Sequence, residues 1–152
     1  MAAPEDPADP AAIRARAVKL LARREHAPRE LISKLARRGF DETAVADVAA
    51  ELEAENLLSE RRYAESMARS RVERGQGPLR IRAELSARGV GEAAIDDALA
   101  ELDVDWAALA STVRRKRFGA AVPDDFPSKA KQMRFLQQRG FDGGTIRAAL
   151  GD

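Results

Sequence analysis

The chain has 152 residues, 45% hydrophobic and 34% charged but only 5% aromatic, with a net charge of +1. That length suits one domain or a few small stacked ones. The absence of cysteine excludes disulfides and thiolate metal sites, and no apolar run approaches the roughly 20 residues of a membrane span. Alanine, leucine, arginine and glutamate make up much of the chain, which is a helical composition. The first residues lack the basic start and apolar stretch of a secretory signal, so the cytoplasm is the expected location.

Met1 to Pro10 carries three prolines, three acids and no large apolar residue after Met1, which predicts a disordered or loosely held tail over 1–10. From Ile13 the pattern is helical: Ile13, Ala17, Leu20 and Leu21 share one face. Pro28 suits the first turn of a second helix, whose apolar face is Leu31, Ile32 and Leu35. Gly39 stands where a helix C-cap needs a left-handed residue, with Phe40 as the cap's hydrophobic contact. Asp41 is an N-cap for a third helix bearing Val45, Val48 and Leu52.

The plan then repeats. Ser59 caps a helix with Tyr63, Ala64 and Met67. Gly75-Gln76-Gly77-Pro78 is a turn into the next helix, where Ile81 and Leu85 lead to Gly89. Ile95, Ala98, Leu99 and Leu102 form the stripe of the following one. Gly91 replaces the aspartate of unit one and weakens that cap. A third unit opens with Trp106, Leu109 and Val113, continues through a longer linker from Phe118 to Pro127, and closes with Met133, Leu136, Ile146 and Leu150. The repeated turn reads Leu35-Ala36-Arg37-Arg38-Gly39-Phe40, Leu85-Ser86-Ala87-Arg88-Gly89-Val90 and Leu136-Gln137-Gln138-Arg139-Gly140-Phe141, with its glycines 50 and 51 residues apart. A fixed period of this kind marks a repeat architecture. The expectation is an all-α fold of three tandem three-helix repeats, nine helices in all, over 11–56, 57–103 and 104–152. In each turn the arginine before the glycine sits where it complements the helix C-terminus.

Nothing in the chain assembles a catalytic constellation. His26 is the only histidine, so neither a metal site nor a hydrolytic triad has its partners. The carboxylates lie on solvated helix faces, and Trp106 has the spacing of a core residue. No catalytic residue, cofactor or metal is expected.

Charge is the informative feature. Blocks of +7 (11–40), −6 (41–56), +4 (57–90), −6 (91–105) and +6 (106–139) alternate in step with the repeat, and the last acidic block is almost lost. Basic runs recur late in the first helix of each unit: Arg23 and Arg24; Arg69, Arg71 and Arg74; Arg114, Arg115, Lys116 and Arg117. Any one of these arginines alone reads as a solvent face paired with the acidic helices. Their recurrence points to a basic stripe suited to a phosphate backbone or an acidic protein groove. A helix-turn-helix mode, in which the third helix enters the major groove, is disfavoured because that helix carries Asp47, Glu51, Glu53 and Glu55, then Glu92, Asp96, Asp97 and Glu101.

The ordered set Leu20 to Leu31 with Arg38-Gly39-Phe40, then Arg62-Tyr63-Ala64, Gly75-Gln76-Gly77-Pro78 and Arg88-Gly89-Val90, resembles the RecX family. So does Arg114 to Gly119 with Lys129, Lys131, Gln132 and Arg134 to Phe141. The resemblance spans roughly residues 13–150; Tyr63 departs from the phenylalanine usual there. It implies an elongated, curved array of three-helix repeats. It also implies a non-enzymatic regulator that lodges in the groove of the RecA–single-stranded-DNA filament and inhibits its recombinase, ATPase and coprotease activities, by blocking extension or promoting disassembly. That role belongs to homologous recombination, DNA repair and the SOS response. The implied partner is the RecA nucleoprotein filament, with weak direct DNA binding, no membrane and a monomeric chain. Lys129, Lys131 and Arg134 join the basic runs as candidate contacts. The competing expectation is a stand-alone DNA-binding helical module without a RecA partner.

Overall fold

The computed structural model describes residues 2–151, which form nine helices and no strand. The first unit comprises α1 (Pro10–Arg23), α2 (Pro28–Arg37) and α3 (Glu42–Ala54). The second comprises α4 (Glu60–Glu73), α5 (Pro78–Ala87) and α6 (Glu92–Glu101), and the third α7 (Trp106–Phe118), α8 (Phe126–Gln138) and α9 (Gly143–Ala149). Side-chain oxygens start six of the helices: Asp9, Asp41, Ser59, Asp105, Asp125 and Asp142 each accept from a first-turn N–H. Pro28 and Pro78 occupy the first position of α2 and α5, where no N–H is needed. The weak cap expected at Gly91 is indeed without a side-chain cap, but Glu60 reaches across from α4 and accepts the Gly91 N–H at 2.7 Å.

The repeated turn is one structure made three times. At Gly39, Gly89 and Gly140 φ is +101°, +82° and +96°. The following N–H of Phe40, Val90 and Phe141 donates to the carbonyl of Leu35, Leu85 and Leu136 at 3.1–3.2 Å, and each glycine N–H donates to the residue three back at 3.0 Å. This is the Schellman closure, with the leucine and the residue after the glycine packed together. Leu35, Leu85 and Leu136 are all at most 1% exposed. Gly75 ends α4 in the same way, through Gln76 N–H to the Arg71 carbonyl.

Each unit has its own core, built from the predicted stripes. The cores interlock across the boundaries: Ala27 of the α1–α2 turn belongs to the second core, Leu58 to the first, and Trp106 touches both the second and the third. One stripe departs from expectation. On α8 Met133 is 40% exposed, and Gln132 turns inward beside Leu136 because its Oε1 accepts from the buried Arg114.

Residues 2–9, where the sequence predicts a loose tail, lie against the α2–α3 turn. The Pro7 carbonyl accepts from the Asp41 N–H at 2.8 Å, and Pro4 packs over Gly39.

The two seams between units share a plan. The turn after the first helix of one unit meets the glycine turn of the next. Arg29 lies over Gly89 at the first seam. At the second, Gly77 N–H donates to the Arg139 carbonyl at 2.7 Å and Leu79 N–H to the Gly140 carbonyl at 3.0 Å. Just before Ala27 and Gly77, the equivalent positions ahead of Pro28 and Pro78, stands a buried polar residue: His26 and Gln76, 1% and 7% exposed.

Candidate functional site

The basic residues sort by what their side chains already hold. In the first two units many are neutralised internally, some by the acidic blocks (Glu55, Asp96, Glu101) and more by carboxylates within the basic blocks themselves (Glu25, Glu30, Glu65, Glu84). Arg14 pairs with Glu55 (2.6 Å), Arg82 with Asp96 (2.7 Å), Arg61 with Glu65 (3.0 Å) and Glu101 (3.5 Å), and Arg62 with Glu25 across the first seam (3.0 Å). Arg24 grips Glu30 through both guanidinium nitrogens, at 3.1 and 2.6 Å. Arg71 donates to Glu84 at 2.6 Å, and Arg80 joins the same carboxylate. Burial works to raise the Glu84 pKa, but these two arginines outweigh it and hold the carboxyl below its ordinary value. Arg24 and Arg71 are therefore committed within the protein.

Arg114 must also be removed from the expected surface. It is only 2% exposed. Its position on α7 points inward, four residues after Ala110, and its guanidinium donates to the carbonyls of Gly119, Ala120 and Ala121 and to Gln132 Oε1 at 3.2–3.4 Å. It organises the longer linker between α7 and α8. A run of four consecutive cations on a helix necessarily wraps around it, and here the first faces the core.

The remaining candidates are exposed and make no ion pair among the described residues: Arg23, Arg69, Arg74, Arg115, Lys116, Arg117, Lys131 and Arg134. Lys129 is half-buried and engaged. Arg23 shares a cleft with Arg16, Lys19 and Arg38, whereas Arg69 sits among Glu65, Glu73, Glu101 and Asp103. Five of these eight cations belong to the third unit, whose α9 reads Gly-Gly-Thr-Ile-Arg-Ala-Ala and contains no carboxylate where α3 and α6 contain several.

Three residues outside the expected set, Arg139, Phe135 and Phe118, belong to this surface. Arg139 donates to the Arg74 carbonyl at 2.8 Å, and its guanidinium lies over Phe135 at 5.3 Å from the ring centroid. Arg117 approaches the same ring at 5.8 Å and Phe118 at 5.9 Å, and the two rings meet edge to face at 5.3 Å. Arg139 is visible in the repeated turn, but a helix-end role accounts for it there without any second task. The seam also positions Arg74, at the end of α4, beside Lys116 and Arg117 of α7.

His26 takes no part in this surface. Lys34 Nζ, which only donates, lies 3.0 Å from His26 Nε2, so Nδ1 carries the proton and donates to the Arg24 carbonyl at 3.1 Å. Burial, with the nearby Arg24 and Lys34 charges, lowers its pKa and keeps the ring neutral. Among the described residues no group of three or more His, Cys, Asp or Glu is placed to hold a metal, and no helix is long and apolar enough to cross a membrane.

Family models for the first, second and third three-helix domains of RecX match residues 14–52, 59–99 and 103–150. The chain is 52% identical over 138 residues to the regulatory protein RecX of Halorhodospira halophila, covering 91% of this chain and 86% of that one. It is 42% identical over 143 residues to the regulatory protein RecX of Acidithiobacillus ferrooxidans, covering 94% and 89% respectively. Among solved structures, a RecX from Lactobacillus salivarius superposes with a TM-score of 0.79 at 21% identity, covering 93% of this chain and 94% of that one. A further crystal structure of a regulatory protein RecX gives 0.81 at 24% identity, covering 94% of this chain and 71% of the other, and both superpositions speak to the fold.

Proposed function

The chain belongs to the RecX family, and on that premise we propose that it is a non-enzymatic, monomeric cytoplasmic regulator of the RecA–single-stranded-DNA filament. It binds in the filament groove and inhibits strand exchange, ATP hydrolysis and coprotease activity by blocking extension or promoting disassembly. The observation that carries this reading is the uneven neutralisation of charge. Units one and two pair many of their cations with carboxylates of their own, while the third unit keeps Arg115, Lys116, Arg117, Lys131 and Arg134 unpaired and exposed among the described residues. Unpaired arginines and lysines impose no loss of internal ion pairs when they meet a polyanion. The acidic outer faces of α3 and α6 give the opposite sign for basic loops of a protein partner, which sets register on a surface of mixed charge.

The test is RecA-dependent ATP hydrolysis on single-stranded DNA with increasing amounts of this protein. Progressive inhibition is expected, and no effect at any ratio refutes the reading. Equal affinity for single-stranded DNA with and without RecA would instead favour the stand-alone DNA-binding module.

A further inference from the structure

The second seam encloses a cleft of about 350 Å³, within the size range of small-molecule sites of about 300–1,000 Å³. Four cations line it from three elements: Arg74 at the end of α4, Lys116 and Arg117 on α7, and Arg139 at the end of α8. Glu73 is the one carboxylate among its lining residues. None of the four cations makes an ion pair among the described residues. Two of them are held in place: Arg117 and Arg139 stack on Phe135, at 5.8 and 5.3 Å from its centroid. Stacking fixes the guanidinium planes; Arg117 keeps its N–H edges for a ligand, and Arg139 keeps those it does not donate to the Arg74 carbonyl.

We propose that this cleft is a binding site for adjacent phosphate groups, either of a nucleic-acid backbone or of a free polyphosphate such as a nucleotide. Donors arriving from three elements suit tetrahedral phosphate oxygens, whereas a planar carboxylate engages one guanidinium fork at a time. The site is composite. Arg74 comes from the second unit and the other three cations from the third, so a bound phosphate bridges them. Binding therefore closes the seam and protects the Gly77 and Leu79 amides, which donate to the Arg139 and Gly140 carbonyls. The inference gives the filament reading a phosphate contact, but it is tested without RecA, so the two fail separately.

The experiment uses the full chain with three probes: fluorescein-labelled (dT)12, inorganic tripolyphosphate and a poly-glutamate peptide. In the Arg74→Ala/Lys116→Ala double variant, (dT)12 affinity is expected to fall about tenfold, and the salt slope by about one to two. Arg37→Ala, an exposed cation of the first unit, should leave both unchanged. Competition by tripolyphosphate at low concentration identifies free polyphosphate as a source. Its failure to compete, with the oligonucleotide still dependent on the two cations, identifies the nucleic-acid backbone. Saturating ligand is expected to slow hydrogen exchange at Gly77 and Leu79. The proposal is overturned if the double variant binds (dT)12 as tightly as the parent, if poly-glutamate binds as tightly as the oligonucleotide, or if exchange at those two amides does not change.

Discussion

A Cβ on Gly77 would lie 2.4 Å from the carbonyl oxygen of Gly140, a backbone atom of the next unit. The clash is mutual, since a Cβ on Gly140 would meet the Arg80 backbone N at 2.5 Å. The second seam is thus closed by glycine against glycine.

Gly77 has an ordinary φ of −86°, so alanine there meets no backbone penalty and would by itself lower the entropy of the unfolded chain. Its whole cost is steric. Gly77→Ala is expected to destabilise the protein by about 1–3 kcal/mol and to speed hydrogen exchange at Leu79. Denaturant melts and exchange measurements check both. Gly119→Ala is the contrast: φ +93° with ψ 173° is a region essentially confined to glycine, but nothing lies within 4 Å, so about 1–3 kcal/mol of backbone strain is expected with the seam intact.

The buried His26 predicts a pH dependence of known sign. Its pKa is lowered by burial, so below about 6.5 the unfolded chain takes up a proton before the folded one. Stability is full above that pH and declines as pH falls toward the folded-state value. His26 is the only histidine and there is no cysteine, so no other side chain normally titrates between about 6.5 and 5. Glu30, which faces the ring together with Arg24 and Lys34, acts only at lower pH: burial raises its pKa, but Arg24, His26 and Lys34 outweigh that and hold it below the usual carboxylate value. His26→Gln copies the residue that unit two places at the same position, Gln76. It is expected to flatten the decline, as followed by thermal melts from pH 7.5 to 5.

Arg114 should behave as a structural residue. Its guanidinium is surrounded by carbonyl and amide oxygens, and among the described residues its Nε has no partner and no carboxylate compensates it. Arg114→Glu would place a second acceptor among acceptors and is expected to cost about 3 kcal/mol or more, against less than about 1 kcal/mol for Lys116→Glu on the exposed face. Arg114→Lys is expected to rescue only in part, because one ammonium cannot reproduce the fork that spans three successive carbonyls. Circular dichroism melts of the three variants decide this.

These positions show where the sequence is readable and where it is not. The leucine–arginine–glycine turn is enough to set the repeat and to end α2, α5 and α8, because each Schellman closure is local and needs only its glycine and two apolar neighbours; apolar stripes and caps place the other helices. Asp41 and Ser59 are readable as caps for the same reason. The seams are not readable. Gly77 and Gly140 lie 63 positions apart, and nothing local marks that one is packed on the other. Arg114 looks like its neighbours because helical phase, not residue type, decides which of four cations faces the core. The near-absence of a last acidic block is visible in the charge pattern. Its consequence, unpaired cations in the third unit, requires the geometry of the ion pairs in the first two.

That consequence supplies the sharpest functional prediction. Arg115→Glu/Lys116→Glu/Arg117→Glu, with Arg114 left in place, removes three exposed cations that hold no ion pair among the described residues. Folding should survive, since Arg117 stacks on two rings at the surface and removing that stacking costs only about 0.5–1 kcal/mol. Inhibition of RecA ATP hydrolysis should then need at least about tenfold more protein, equivalent to about 1.4 kcal/mol or more of binding. Arg82→Glu is the matched comparison. That arginine already spends its charge on Asp96 at 2.7 Å, so reversing it should change inhibition much less than the triple change. The triple change shifts net charge three times as far as Arg82→Glu, so a free-energy loss only about three times as large would mean that net charge alone governs binding and that the free cations of the third unit hold no special place in it. A loss confined to the triple variant, with unchanged melting, locates the contact on α7.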